Sequence, residues 1–235
     1  MDRASRDGQR AGRAAMRSGI GAGCLAAGLV ALVLWTHDEA PGAPTFDSGL
    51  HQWALYHQTP ATIGLARGLS WFGQTNFALP LVILAGVAAA VETRRFARVR
   101  AGGLLVGVGS VGVATGLGIN RATVRIRPPL AHWGGAARGF GFPSGHTTAA
   151  TVAAGLIGRT VSRHLRSVRG PVVVWVAAAA WAGGVGWSRV RLGVHWPTDV
   201  LGVWLFAGSF HLVARAVQLV WWPADAPPQP PGATR

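Results

Sequence analysis

Two histidines in this chain stand beside groups that could make them reactive. His195 precedes Asp199 by four residues at the end of the stretch Ser-Arg-Val-Arg-Leu-Gly-Val-His-Trp-Pro-Thr-Asp, residues 188–199. Pro197 suits the first position of a helix, so Asp199 falls in the first turn and His195 just before it. The helix dipole favours a carboxylate there, and it can reach the imidazole. A carboxylate accepting the proton of one ring nitrogen sets the tautomer, frees the other nitrogen for attack and supports the positive ring that results. The second histidine, His146, closes Pro-Ser-Gly-His, residues 143–146, which reads as a helix start. Ser144 is the N-cap there, Gly145 allows close backbone approach, and the free N–H groups form an anion site. Arg127 and Arg189 add planar forks matched to phosphate oxygens. His146 is then free to protonate a leaving oxygen. No carboxylate cluster for Mg²⁺ accompanies these groups, and no histidines and carboxylates gather at metal-ligand spacing. The set describes metal-free phosphoryl transfer through a phosphohistidine, with charge stabilised by arginine.

The elements that must position these residues belong to a membrane protein. The 235 residues are 50% hydrophobic and 13% charged, with mean hydropathy +0.32, too apolar for an ordinary soluble domain. A net charge of +14 would favour nucleic acid if it lay along one polar face. The arginines instead form short clusters between apolar runs, which argues against it. At 1.5 Å per residue, a crossing needs about 20 apolar residues. Six candidates run over 18–36, 74–92, 101–119, 146–161, 171–187 and 198–222. Arg13 and Arg17 before the first, with Ala-Pro-Gly-Ala at 40–43 after it, resemble a signal peptide. Because further spans come after it, an uncleaved first helix is expected. Cys24, the one cysteine, cannot form an intrachain disulfide.

Arginine clusters precede span one, join spans two and three (94–100) and join spans four and five (159–169). The positive-inside rule makes these segments cytoplasmic, with both termini inside and the connections 37–73, 120–145 and 188–197 outside. Two outer connections nevertheless carry Arg121, Arg125, Arg127, Arg138, Arg189 and Arg191. Charge against topological preference asks for a function. Of these, Arg125, Arg138 and Arg191 are expected in lipid-headgroup or surface roles. Phe46, Leu50 and Trp53 recur at near-helical spacing, as in a short helix lying in the interface. His51 and His57 have no chemical spacing and read as loop residues. Many of the eleven tryptophans sit near span ends, as in an aromatic belt. Glycines 103, 107, 109, 112, 116 and 118 in span three allow close helix approach. The expected organisation is a basic cytoplasmic segment (1–17), a six-span all-α integral-membrane bundle (18–222) with its active site at the extracytoplasmic ends, and a Pro-rich disordered tail (223–235).

The three polar segments resemble the signature of the type 2 phosphatidic acid phosphatase (PAP2) superfamily: Lys-x6-Arg-Pro, Pro-Ser-Gly-His and Ser-Arg-x5-His-x3-Asp. The second matches as Pro143, Ser144, Gly145 and His146, and the third as Ser188, Arg189, His195 and Asp199. The resemblance implies that His195 is the nucleophile, Asp199 its partner and His146 the general acid. It also implies Arg127, Ser144, Gly145 and Arg189 as phosphate ligands. The first motif departs from the pattern, because Asn120 stands at the lysine position. Arg121 is adjacent, but one residue turns a helical side chain by about 100°, leaving Asn120, Arg121 and Arg125 as alternatives for that contact. The resemblance thus implies a membrane phosphatase without cofactor or metal, located in the cell membrane. It would hydrolyse a lipid phosphomonoester or a polyprenyl diphosphate at the outer face and bind no nucleic acid. The alternatives are a phosphotransferase using the same phosphohistidine and a catalytically weakened lipid-binding protein; a haloperoxidase is disfavoured by the short, membrane-embedded chain.

Overall fold

The computed structural model describes residues 3–38, 44–89, 95–165 and 169–221. These form α1 (Arg3–Asp38), α2 (Thr45–Tyr56), α3 (Pro60–Trp71), α4 (Thr75–Ala89), α5 (Arg95–Thr123), a single 3-10 turn at Leu130–His132, α6 (Gly145–Ser162), α7 (Arg169–Arg191) and α8 (Pro197–Trp221). No strand occurs among the described residues. The expected spans correspond to α1, α4, α5, α6, α7 and α8. Four stretches are long and apolar enough to cross a membrane, Gly8–His37, Gly103–Thr123, Arg169–Arg191 and Pro197–Val220. The apolar stretch Thr75–Ala85 of α4 is shorter, and α6, with 18 residues, extends about 27 Å.

The N-terminal basic segment is not separate from the first span: from Arg3 onward it continues the same helix. The expected Pro-rich tail lies outside the described residues. The first connection holds two short helices where one was expected. The second, α3, begins at a legible signal, with Thr59 as N-cap and Pro60 in the first position. Thr59 Oγ1 accepts from Thr62 N (3.2 Å) and Thr62 Oγ1 from Thr59 N (3.0 Å), a reciprocal cap.

Helix α6 is the centre of the bundle and packs against α4, α5, α7 and α8. Its sequence of Gly, Ala, Thr and Val makes a thin rod, buried from Thr147 to Ala150 and Val152 to Leu156. The core joins Ala149, Val152, Ala153 and Leu156 to Ala78 and Val82 of α4 and Phe206 and Ala207 of α8. α1 lies along α8 and exposes Met16, Ile20, Val30 and Leu34, the composition of a lipid-facing surface.

The glycines of α5 divide in two. A Cβ at Gly116 would stand 2.7 Å from Thr148 Cγ2, and one at Gly112 3.0 Å from the Phe210 ring. Gly103, Gly107 and Gly118 meet nothing within 4 Å. The first set, with Gly109 at 3.3 Å from Leu156 Cδ1, lets neighbouring helices close on α5. Gly116→Ala is therefore expected to destabilise by about 1–3 kcal/mol through overpacking. Gly118→Ala should gain about 0.5–1 kcal/mol of helix propensity. Melting temperatures moving in the same direction would contradict this division.

Candidate active site

Four helix ends meet at one end of the bundle: the C-termini of α5 and α7 and the N-termini of α6 and α8. Beyond α5 the chain turns at Val124, whose φ of +49° is the one positive value at a non-glycine among the described residues. A β-branched residue there costs about 1–3 kcal/mol. The segment after it is extended, so successive side chains alternate. Val124 and Ile126 are exposed, and Arg125 and Arg127 turn inward. Between α7 and α8, Gly193 adopts φ +68°, and a Cβ there would meet the His132 carbonyl oxygen at 2.3 Å. This glycine turn carries His195 back over the bundle.

His195 and Asp199 are both buried, 1% and 0% exposed. His195 Nδ1 lies 3.2 Å from Asp199 Oδ2, which also accepts from Trp196 N (2.9 Å). Burial, reinforced by Arg127 and Arg189, pushes the His195 pKa down to about 4 against the opposing pull of Asp199. The ring is therefore neutral at pH 7, with Nδ1–H donating to Asp199 and the Nε2 lone pair free to accept. Arg127 Nη1 is 2.7 Å from that Nε2. The rest of this guanidinium donates to the carbonyls of Val194 (2.7 Å), Gly139 (2.9 Å) and Arg138 (2.7 Å).

Arg189, 2% exposed, donates to Ser70 Oγ of α3 (2.6 Å) and more weakly to Ala136 O (3.2 Å). Its buried Nε has no partner among the described residues. His146 lies in the first turn of α6, within electrostatic reach of Arg189, His195 and Arg127. Ser144 is buried and accepts from Thr147 Oγ1 (3.0 Å). Thr148 N makes the first bond of α6, to Ser144 O (2.9 Å), so the N–H groups of Gly145, His146 and Thr147 precede the helical ladder. Gly145 is exposed, with open space where a Cβ would stand. The site thus gathers a neutral imidazole, a second histidine, two guanidiniums and a helix N-terminus, an arrangement suited to a tetrahedral oxyanion.

Asn120 and Arg121 do not join this cluster. Asn120 Nδ2 donates to the carbonyls of Phe140 (2.9 Å), Phe142 (3.1 Å) and Pro143 (3.2 Å), holding the loop that leads into α6. Arg121 is exposed. Two arginines expected at the surface are instead internal. Arg191, 5% exposed, donates to the carbonyls of Ala54 and His57 and closes the C-terminus of α2. Arg125 Nη1 lies 2.6 Å from Asp199 Oδ1, and its Nη2 lies 2.6 Å from Asp47 Oδ2. Asp47, 0% exposed, belongs to no motif that marks it in the sequence, and neither does Ser70. The available signals were the Arg-Ile-Arg alternation and the place of Asp47 beside Phe46 on an amphipathic helix. His51, expected in a loop, is buried in α2 with Nε2 3.0 Å from His132 Nδ1.

A helical membrane protein with histidines, arginines and a helix N-terminus gathered at one end of its bundle is the class of a phosphate-ester enzyme. Residues 100–222 match the model of the PAP2 superfamily, and the chain belongs to that family. Among curated proteins it is 30% identical over 164 residues to phosphatidylglycerophosphatase B of Bacillus subtilis, covering 66% of this chain and 75% of that protein. It is 35% identical over 145 residues to decaprenylphosphoryl-5-phosphoribose phosphatase of Mycobacterium tuberculosis, covering 60% and 72%. A crystal structure of a transmembrane PAP2-type phosphatidylglycerolphosphate phosphatase from Bacillus subtilis superposes with TM-score 0.70 at 26% identity, covering 83% of this chain and 93% of that one. The protein is a phosphatase of the PAP2 type and a multi-pass membrane protein.

The geometry sets two expectations for stability. The unfolded chain binds a proton at an ordinary histidine pKa of about 6.5, whereas buried His195 binds one only near 4. Stability is therefore full above pH 6.5 and falls as pH drops towards 4, by roughly 3 kcal/mol. The melting temperature of His195→Gln should fall less over that range, and parallel curves would refute the assignment. Asn120→Asp replaces a donor by an acceptor facing three carbonyls and is expected to cost about 1–3 kcal/mol. An unchanged melting temperature would remove Asn120 from the role of holding the loop.

Proposed function

We propose that the protein hydrolyses a phosphate ester carried by a membrane lipid, through a phosphohistidine on His195 and without a metal ion. The observation that carries this is the His195–Asp199 pair at 3.2 Å, with Nε2 turned towards Arg127. Arg127 Nη1 moves from Nε2 to a phosphate oxygen as substrate enters, and Arg189 offers its unpartnered Nε. Nε2 then attacks phosphorus, and the ester P–O bond breaks. His146 gives its proton to the leaving oxygen, while Asp199 supports the charged ring. Water, surrendering a proton to His146, attacks phosphorus; the N–P bond breaks and inorganic phosphate departs. Arg127, Arg189, Ser144, Gly145 and the N–H groups of α6 hold the phosphoryl oxygens throughout.

The layout that fits this reading is six spans over residues 18–222, with both termini cytoplasmic and the site outside, as the arginine distribution favours. Because four span ends surround the site, acyl or isoprenoid tails stay in lipid while the headgroup enters. The names of the two curated relatives denote phosphate esters on membrane lipids, so a phosphomonoester on a lipid headgroup is the leading substrate, ahead of a polyprenyl diphosphate.

The test is phosphate release by purified protein in detergent with EDTA, offered phosphatidylglycerol phosphate, phosphatidic acid, a polyprenyl diphosphate and a soluble phosphoester. Release that resists EDTA is expected. His195→Ala should abolish it, and Asp199→Asn should cut kcat by on the order of 10²-fold or more, as when a nucleophile loses its tautomer. Turnover by His195→Ala, or its loss in EDTA, would defeat the mechanism. Phosphate passing to an added lipid or sugar acceptor faster than to water would make the protein a transferase.

A further inference from the structure

Asp199 is not the only carboxylate buried at this site. Arg125 bridges it to Asp47 of α2 through two 2.6 Å ion pairs. Asp47 Oδ1 accepts from Thr198 N (2.9 Å), Asp47 Oδ2 accepts from the Thr198 hydroxyl, and Thr198 Oγ1 accepts from Arg125 Nη1 (2.7 Å). We propose that Asp47 is a positioning residue that acts through Arg125 to keep the negative charge of Asp199 available to His195. This rests on the reading of His195 as nucleophile.

Charge balance defines the role of Asp47. Arg125 alone beside Asp199 would neutralise it, leaving a dipole in place of an anion to support the ring. Adding Asp47 returns the buried triad to one net negative charge. Phosphorylation of Nε2 with Nδ1–H retained places one positive charge on the imidazole, so triad and ring together become neutral at that moment. The support is needed because the other charges near the ring oppose a positive imidazole: Arg189 from α7 and Arg127 from the extended segment. The remaining titratable groups around it are His146 of α6 and His51 of α2, which is paired with His132. In a low-dielectric site such terms are weakly screened.

A purely structural Asp47 would dock α2 and hold the N-terminus of α8, and Asn at 47 keeps an acceptor for Thr198 N. Asp47→Asn therefore separates charge from docking. With a fixed lipid phosphomonoester, it is expected to lower kcat about tenfold or more with KM within about twofold. It should move the acid limb of the kcat/KM profile to lower pH, because a less supported imidazole is less basic. Arg125→Gln removes the cation and should move that limb to higher pH, and this measurement stands even where Asp47→Asn fails to fold. In an Asp199→Asn background the shift caused by Asp47→Asn should be smaller, because the part that runs through Asp199 is lost. Limbs that stay put, or an equal shift without Asp199, would overturn the proposal. Activity in His195→Ala would instead overturn the nucleophile reading beneath it, which the Asp47 variants alone do not probe.

Discussion

A carboxylate buried at the start of α8 sets the terms for the rest of the site. Asp199 has no exposure to solvent, and a buried carboxylate without partners is costly. Four features converge on it: the α8 dipole, Trp196 N, Arg125 and the Nδ1–H of His195. Each of these fixes something else. Trp196 N and His195 define the turn after Gly193, Arg125 requires the strained reversal at Val124, and Asp47 draws α2 over the site. The geometry of His195 comes from satisfying one charge.

That arrangement requires four helix ends to stand close together, and the composition of α6 allows it. A helix of Gly, Ala and Thr occupies little radius, so α4, α5, α7 and α8 can all pack on it. The glycines of α5 that face inward, 109, 112 and 116, remove the last side chains from that interface. Small residues substitute for the hydrophobic drive that lipid does not supply. Their effect reaches the chemistry because Thr148, which lies against Gly116, is one residue from the free N–H groups that open α6.

Helix positions and the two histidine-bearing segments were legible because both rest on local pattern. Runs of apolar residues predict spans by length alone, and Pro-Ser-Gly-His and His-x3-Asp are contiguous. The Asp47–Arg125 connection was not legible, since it joins residues 78 apart through a fold that pattern does not encode. Arg125 and Arg191 looked like surface charge because they lie between spans, yet both are internal, each meeting backbone or carboxylate groups of α2 or α8. The site-facing side of α2 was equally obscure. Its Phe46, Leu50, Trp53 and Tyr56 are exposed and dominate the pattern, whereas Asp47, His51 and Ala54 point inward on the other face.

The departure at Asn120 has a physical reading of its own. A lysine at that position would bring one mobile positive charge on a flexible stem, whereas the asparagine amide is spent on three carbonyls of the loop before α6. The positive charge near His195 then rests on Arg127 and Arg189, one held by backbone carbonyls and the other by Ser70 and Ala136. Guanidiniums fixed in this way lose little further freedom when they meet a phosphate. In this chain the position of the family's lysine serves the loop before α6, and the positive charge at these helix ends is that of anchored arginines.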